Sequence, residues 1–269
     1  MQSALSAPVW SSLRKRLSRT SRVLLALDFD GTLAPIVEDP TQAAIPPRTL
    51  ALLRALAERP DYRIAIVSGR ALTDVRRRVE IPRAIYGGNH GLEVEIEGRL
   101  WMAPGAEEAS GAVQEAGKAL GEKLKRLHGV VLENKGISIS VHYRQAPVGV
   151  KQTCLRLCGQ ALDPFVAMRK VNVLQGKEVV EVQPALPWDK GACLRHLAKL
   201  SLSGDYGPGV CIFLGDDTFD EPAFRAVRDM GGIGIFIGEK ADSAAAFFLP
   251  STTSVEIFLR RLVSISRKR

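Results

Sequence analysis

The chain reads as an α/β protein: a doubly wound, Rossmann-like parallel-sheet core with an inserted α+β unit of order αββαββ. Three observations predict this. Apolar runs of strand length alternate with helix-period segments over the first hundred residues. The rhythm then switches to one helix followed by two strands, twice over. After Pro184 the strand–helix alternation returns.

The elements follow in order. The first 22 residues lack acids and are rich in Ser and Arg, a composition shared by organelle transit peptides. They contain no apolar h-region, and a short amphipathic helix over Trp10 to Leu17 is the preferred reading. Val23-Leu-Leu-Ala-Leu27 is continuously apolar, as expected of a strand buried on both faces. Pro47 to Arg59 carries Leu50, Leu53 and Leu56 at helical spacing and stops at Pro60. Arg63-Ile-Ala-Ile-Val67 is a second buried strand, followed by Ser68-Gly-Arg70 and a helix with Val75 and Val79. Ala84 to Tyr86 is a short strand before the loop Gly87-Gly-Asn-His-Gly91. In the inserted unit, helices are expected over Ala106 to Leu127 and Val148 to Leu162. One hairpin joins Val130–Glu133 to Ile137–Tyr143, and a second joins Val166–Val173 to Glu178–Gln183. Then come a helix over Lys190 to Leu200, a strand over Val210 to Leu214, a helix over Glu221 to Val227, a strand over Gly234 to Ile237 and a last helix from about Ser254 to Ser264. The boundaries implied are a basic segment over 1–22, core over 23–104, inserted unit over 105–184 and core again over 185–269.

Composition narrows the function classes. With 269 residues, 46% hydrophobic and 25% charged, the chain is no disordered tail, collagen or coiled coil. No apolar run reaches membrane-spanning length. Lys and Arg number 37 against 29 Asp and Glu, a formal charge of +8. That favours acidic ligands such as phosphorylated metabolites. Much of the excess is local, in Arg14, Lys15, Arg16, Arg19 and Arg22 and in the last three residues, and no nucleic-acid-binding signature accompanies it. Neither nucleic acid nor membrane is therefore expected as a partner. Cys154, Cys158, Cys193 and Cys211 form no CxxC, which fits a reducing, cytoplasmic compartment.

The chemistry sits at strand ends. Asp28-x-Asp30-Gly31-Thr32 follows the first buried strand, at the carboxyl edge where open α/β sheets bind ligands. Leu214-Gly-Asp216-Asp217-Thr-Phe-Asp220 follows another. Aspartates do cap helices and open turns, which explains one per loop but not five in two loops. Crowded carboxylates are costly to ionise without a cation, and a hard one such as Mg²⁺ suits them. Ser68 can donate to a phosphate oxygen. Lys190 opens a helix, where its charge opposes the local dipole, so facing carboxylates and a phosphate is the better reason for it.

Taken in order, Asp28-x-Asp-Gly-Thr32, Ser68, Lys190 and Gly215-Asp-Asp-x-x-Asp220 resemble the four motifs of haloacid-dehalogenase-superfamily phosphatases, and the inserted unit resembles their type IIB cap. More narrowly, Leu27-Asp-Phe-Asp-Gly-Thr-Leu-Ala-Pro-Ile36, Val67-Ser-Gly-Arg70, Gly88-Asn-His-Gly-Leu-Glu93, Glu133-Asn-Lys135, Val141-His-Tyr-Arg144 and Gly215-Asp-Asp-Thr218 resemble the trehalose-6-phosphate phosphatases. The resemblance runs from about Val23 to Val263.

It implies Mg²⁺-dependent hydrolysis of trehalose 6-phosphate. Asp28 would be the nucleophile and Asp30 the general acid and base. Asp28, the Asp30 carbonyl and Asp216 would be the metal ligands, with Asp217 competing with Asp216. Lys190 and Ser68 would clamp the phosphoryl group, and Asp220 would orient Lys190 or metal-bound water. Glu133, Lys135 and Glu181 would read glucose hydroxyls. In Ile137-Ser-Ile-Ser-Val-His142, alternation turns Ile137, Ile139 and Val141 inward and Ser138, Ser140 and His142 to a polar face. Arg70 is expected either to bind substrate or to brace the junction between core and cap, and Asn89 and His90 either to hinge the cap or to touch substrate. A monomer is expected, with any trehalose-6-phosphate synthase a separate chain. The alternatives are a phosphatase for sucrose phosphate, glucosyl-3-phosphoglycerate or mannosylglycerate phosphate, a phosphomutase, or a silent sugar-phosphate sensor. Intact acids at Asp28, Asp30 and Asp216 speak against the sensor.

Overall fold

The computed structural model describes residues 1–202, 209–239 and 242–265. Two compact units divide the chain, one made of residues 1–101 and 188–269, the other of residues 102–187. The inserted unit thus begins three residues earlier and ends three later than its helical and strand periodicity suggested.

In chain order the larger unit opens with β1 (Gln2–Ser3), α1 (Ala7–Leu17), β2 (Arg22–Leu27), α2 (Pro47–Ala57), β3 (Tyr62–Val67), α3 (Leu72–Val79), β4 (Ile85–Gly88), β5 (Glu93–Ile96) and β6 (Arg99–Met102). The inserted unit holds α4 (Ala106–Leu124), β7 (Val131–Asn134), β8 (Ile139–His142), α5 (Val148–Ala167), β9 (Val171–Gly176) and β10 (Val179–Pro184). The chain returns through α6 (Lys190–Leu202), β11 (Gly209–Gly215), α7 (Glu221–Asp229), β12 (Ile233–Ile237), β13 (Phe247–Leu249) and α8 (Thr252–Val263).

The larger sheet runs β1-β13-β12-β11-β2-β3-β4-β5-β6. Strands β1 through β4 in that order are parallel, and β5 turns antiparallel against β4. Strand order reverses between β2 and β11, so the crevice at their carboxyl ends is the topological switch point. Both faces are covered, which is why β2 is apolar from Val23 to Leu27. Val23, Leu25 and Leu27 pack with Leu53, Val75, Val255 and Phe258, whereas Leu24 and Ala26 pack with Leu194, Ala223 and Phe224. The basic N-terminal stretch is part of this fold. Val9, Leu13 and Leu17 of α1 enter the first of those cores, and β1 adds to the sheet edge beside β13.

The inserted unit is an antiparallel sheet of order β7-β8-β10-β9 packed on α4 and α5. Its core includes Val113, Leu120, Ile139, Val141, Cys158, Val180 and Val182. One sequence expectation is corrected here. Residues 166–170 do not begin a strand, because α5 continues through Pro164 to Ala167 and β9 starts only at Val171. Proline costs a helix one hydrogen bond and a clash with the preceding turn. The buried contacts of Ala161 and Leu162, and the partly buried Phe165, hold the last turn in place.

Candidate active site

The switch-point crevice gathers the acids. Leu27 ends β2, and the Asp28 N–H donates to the Leu214 carbonyl at 2.9 Å, carrying the β2–β11 pairing one residue into the loop. Gly31 has φ +74°, and a Cβ there would lie 2.2 Å from Asp216 Oδ2, so only glycine lets the two loops meet this closely. Asp28, Asp216 and Asp220 are all buried, and each brings a carboxylate oxygen within 4.8 Å of the others.

Lys190, the first residue of α6, answers two of them. Its Nζ donates to Asp28 Oδ1 at 2.9 Å and to Asp220 Oδ1 at 2.6 Å, with only 3% of its side chain exposed. Asp189 accepts from the Ala192 N–H at 2.8 Å and so caps the helix that Lys190 would otherwise disfavour. Burial works to lower the Lys190 pKa, but Asp220 and Asp28 outweigh it and hold the ammonium charged. Burial raises the Asp28 pKa well above the usual carboxylate range; Asp220 and Asp216 add to the rise against the pull of Lys190.

The two remaining acids of the second loop have separate tasks. Asp220 Oδ2 accepts from the Asp216 and Asp217 N–H groups at 2.9 and 3.1 Å, fixing the loop that presents Asp216. Asp217 accepts from the Phe219 N–H and completes a reciprocal cap with Asp220. Of the adjacent pair left open by sequence, Asp216 joins the carboxylate cluster and Asp217 faces a turn.

Ser68 is buried directly after β3, the strand beside β2. Its backbone carbonyl accepts from the His90 N–H at 2.8 Å, and the Arg70 carbonyl accepts from the Asn89 N–H at 2.8 Å. The His90 ring meets the Phe219 ring edge to face at 5.2 Å, so this loop braces both motif-bearing turns. Asn89 and His90 thus lie within the larger unit, well before the chain crosses at residue 102.

For Arg70, which sequence left between a substrate contact and a brace of the junction between core and cap, the structure shows partners inside the larger unit. Its Nε and one terminal nitrogen each bond an oxygen of Asp30 at 2.7 Å, and the guanidinium also reaches Asp74 at 2.9 Å and the Pro40 carbonyl at 2.8 Å. No local pattern signals this pairing, since the partners stand 40 residues apart.

Glu133, Lys135 and Glu181 lie in the inserted unit. Register aligns Glu133, Ser140 and Glu181 across β7, β8 and β10. Ser140 donates to Glu181 at 2.7 Å, Lys135 Nζ lies 3.3 Å from the same carboxylate, and His142 Nε2 lies 2.9 Å from Glu133. These side chains share the sheet face opposite Ile139, Val141, Val180 and Val182. Ser138, Ser140, Glu181 and Gln183 are buried, whereas Glu133 is exposed.

The family model for trehalose-phosphatase matches residues 26–253. The chain belongs to the trehalose-phosphatase family. It is 31% identical over 263 residues to trehalose-phosphate phosphatase B of Arabidopsis thaliana, covering 93% of this chain and 69% of that one. It is 36% identical over 251 residues to the trehalose-phosphate phosphatase of Mycobacterium marinum, covering 90% and 62% respectively. Among solved structures, the C-terminal domain of C. albicans trehalose-6-phosphate phosphatase shares the fold with a TM-score of 0.85 at 23% identity, over 99% of this chain and all of that one. A haloacid dehalogenase-like hydrolase from Bacteroides thetaiotaomicron shares it at 0.63 and 15% identity, over 90% and 99%. Like the family it joins, this chain is a phosphatase, and the buried cluster at the β2–β11 crevice contains the groups such chemistry needs. Among the described residues no helix is long and apolar enough to cross a membrane.

Proposed function

We propose that this phosphatase hydrolyses trehalose 6-phosphate to trehalose and phosphate through an aspartyl-phosphate intermediate, with Mg²⁺ as cofactor. The observation that carries the chemistry is the buried Asp28–Lys190–Asp220 bridge with Asp216 beside it. The family match carries the substrate.

The donor set fits a hard divalent cation. Three buried acids cluster beside a single ammonium that bonds two of them, and all the offered ligand atoms are oxygens. Asp28, the backbone carbonyl of Asp30 and Asp216 would hold it. Bound Mg²⁺ supplies positive charge between the Asp28 carboxylate and the phosphate dianion, which otherwise repel. Asp220 is committed to Lys190 and to two backbone N–H groups, so it serves by orientation.

In the first half-reaction an Asp28 oxygen bonds to phosphorus as the bond from phosphorus to the sugar 6-oxygen breaks. Asp30 gives its proton to that oxygen. In the second half-reaction water bonds to phosphorus, the Asp28–phosphorus bond breaks, and Asp30 takes the water proton back. Lys190 and Ser68 hold the phosphoryl oxygens in line. Sugar selection is assigned to the inserted unit, with Glu133, Lys135 and Glu181 reading glucose hydroxyls from the polar sheet face. A cytoplasmic location accords with four free, buried cysteines, of which Cys158, Cys193 and Cys211 have thiols pushed up to about 12 by burial.

The test is phosphate release, with Mg²⁺ and with EDTA, from trehalose 6-phosphate, sucrose 6-phosphate, glucose 6-phosphate and glucosyl-3-phosphoglycerate. Preferential release from trehalose 6-phosphate that EDTA abolishes is the expected result. Preference for another sugar would replace the substrate, and full activity in EDTA would remove the metal.

A further inference from the structure

Asp30 must present its carboxylate to two different oxygens in turn, yet its side chain is 42% exposed and sits on a loop. Something has to fix it. Both of its oxygens are bonded by one guanidinium, Arg70 Nε to Oδ2 and a terminal nitrogen to Oδ1, each at 2.7 Å. A bidentate charged pair of this kind fixes the plane of a carboxylate as well as its place.

Arg70 is itself held on every side. Its side chain is 14% exposed, with Asp74 at 2.9 Å, the Pro40 carbonyl at 2.8 Å and the Phe29 ring centroid 5.1 Å from the guanidinium carbon. Its backbone N–H donates to Ser68 Oγ at 3.2 Å, and its carbonyl accepts from Asn89. Four of the five guanidinium N–H groups are therefore taken, which leaves little to offer a phosphate or a sugar. The rigid partner is Arg70 and the dependent one is Asp30.

We infer that Arg70 is the positioning residue for Asp30 and acts on the reaction through it, without touching substrate. This rests on the acid–base reading of Asp30 above. Arg78 supplies the comparison a structural role requires. It braces the same network, bonding Asp74 at 2.8 Å and the Thr41 and Ala43 carbonyls at 3.1 and 2.7 Å, but makes no bond to Asp30.

The experiment measures kcat, KM and melting temperature for Arg70→Gln, Arg70→Lys, Arg78→Gln, Asp30→Asn and the Arg70→Gln/Asp30→Asn double variant. Substrates are trehalose 6-phosphate and p-nitrophenyl phosphate. Misplacing an acid–base group by about an ångström costs up to roughly a hundredfold. With trehalose 6-phosphate, where both half-reactions use Asp30, Arg70→Gln should therefore lower kcat about 10- to 100-fold with KM within about threefold, and Arg70→Lys should recover part of the loss. Adding it to Asp30→Asn should cost nothing more. Arg78→Gln should lower the melting temperature with kcat intact. With p-nitrophenyl phosphate, whose departing phenolate needs no proton, the Arg70→Gln burst should remain while the steady-state rate falls.

A rise in KM at unchanged kcat would make Arg70 a substrate ligand and overturn the inference. So would multiplicative losses in the double variant, an equal kcat loss in Arg78→Gln, or disappearance of the burst. Full turnover by Asp30→Asn would instead bring down the acid–base reading beneath it. Because p-nitrophenyl phosphate carries no sugar, the Arg70 result is readable whichever sugar phosphate the enzyme prefers.

Discussion

Lys190 is the residue on which the site balances. Its ammonium lies between Asp28 and Asp220 with almost no exposure, so removing it leaves buried carboxylates without their counter-charge. Losing one partner of a buried pair costs about 3–5 kcal/mol, because the other charge stays desolvated. Lys190→Met is accordingly expected to lose about that much stability in metal-free buffer and distinctly less in saturating Mg²⁺, since the cation offsets the same carboxylates. Urea titrations followed by tryptophan fluorescence measure both, and an identical loss with and without Mg²⁺ would separate Lys190 from the cation site. At this scale the sequence was informative where chemistry demands rare clusters. Five aspartates in two loops, a serine and a helix-opening lysine mark the place. It was silent on the pairing of Arg70 with Asp30, because a contact across 40 residues leaves no local periodicity.

Helix α3 shows how an element serves the site. Asp74 in its first turn accepts from Arg70 at 2.9 Å, Arg77 at 3.1 Å and Arg78 at 2.8 Å, and so ties the helix to the motif turn before it. Burial would raise the Asp74 pKa, but the bonds from Arg78 and Arg70 win and lower it from 3.8 to about 2. The sign follows from linkage. The unfolded chain takes up this proton near 3.8 and the folded chain only near 2, so the contribution is full above 3.8 and fades as pH falls toward about 2. The gap in melting temperature between wild type and Asp74→Asn should therefore be constant near neutrality and narrow below 3.8. A gap unchanged across that range would mean that the charge of Asp74 is not what stabilises α3. Elements with long apolar runs or clear periods, such as β2, β3, β11 and α2, were legible from sequence. The misses have physical reasons. Strands β1 and β13 are two and three residues long, too short for any period to show. The β5–β6 pair carried a readable signal, with Glu93-Val-Glu-Ile96 alternating ahead of Glu97-Gly98, but it stood between two units of different rhythm. Helix α5 ran past its Pro164 because tertiary packing overrode a local breaker.

For the molecule as a whole, the consequential fact is that the two units share no core. The core around Ile139, Val141 and Leu120 is made only of residues from the inserted unit, whereas Leu24, Leu25 and their neighbours belong to the larger sheet. The acids that would bind Mg²⁺ lie in the larger unit, and so do Trp10, Trp101 and Trp188, the three tryptophans of the chain. Tryptophan fluorescence therefore follows the larger unit alone, while calorimetry sees both. A ligand stabilises the fold that binds it by an amount set by its concentration over Kd. Mg²⁺ should raise the fluorescence-detected transition and leave a second calorimetric transition in place. Leu120 is wholly buried in the inserted core, and truncating such a leucine costs about 2–5 kcal/mol. Leu120→Ala should lower that second transition without moving the fluorescence-detected one. If Mg²⁺ and Leu120→Ala instead shift a single common transition, the two units melt as one cooperative body, and the inserted unit has no stability of its own for cation binding to leave untouched.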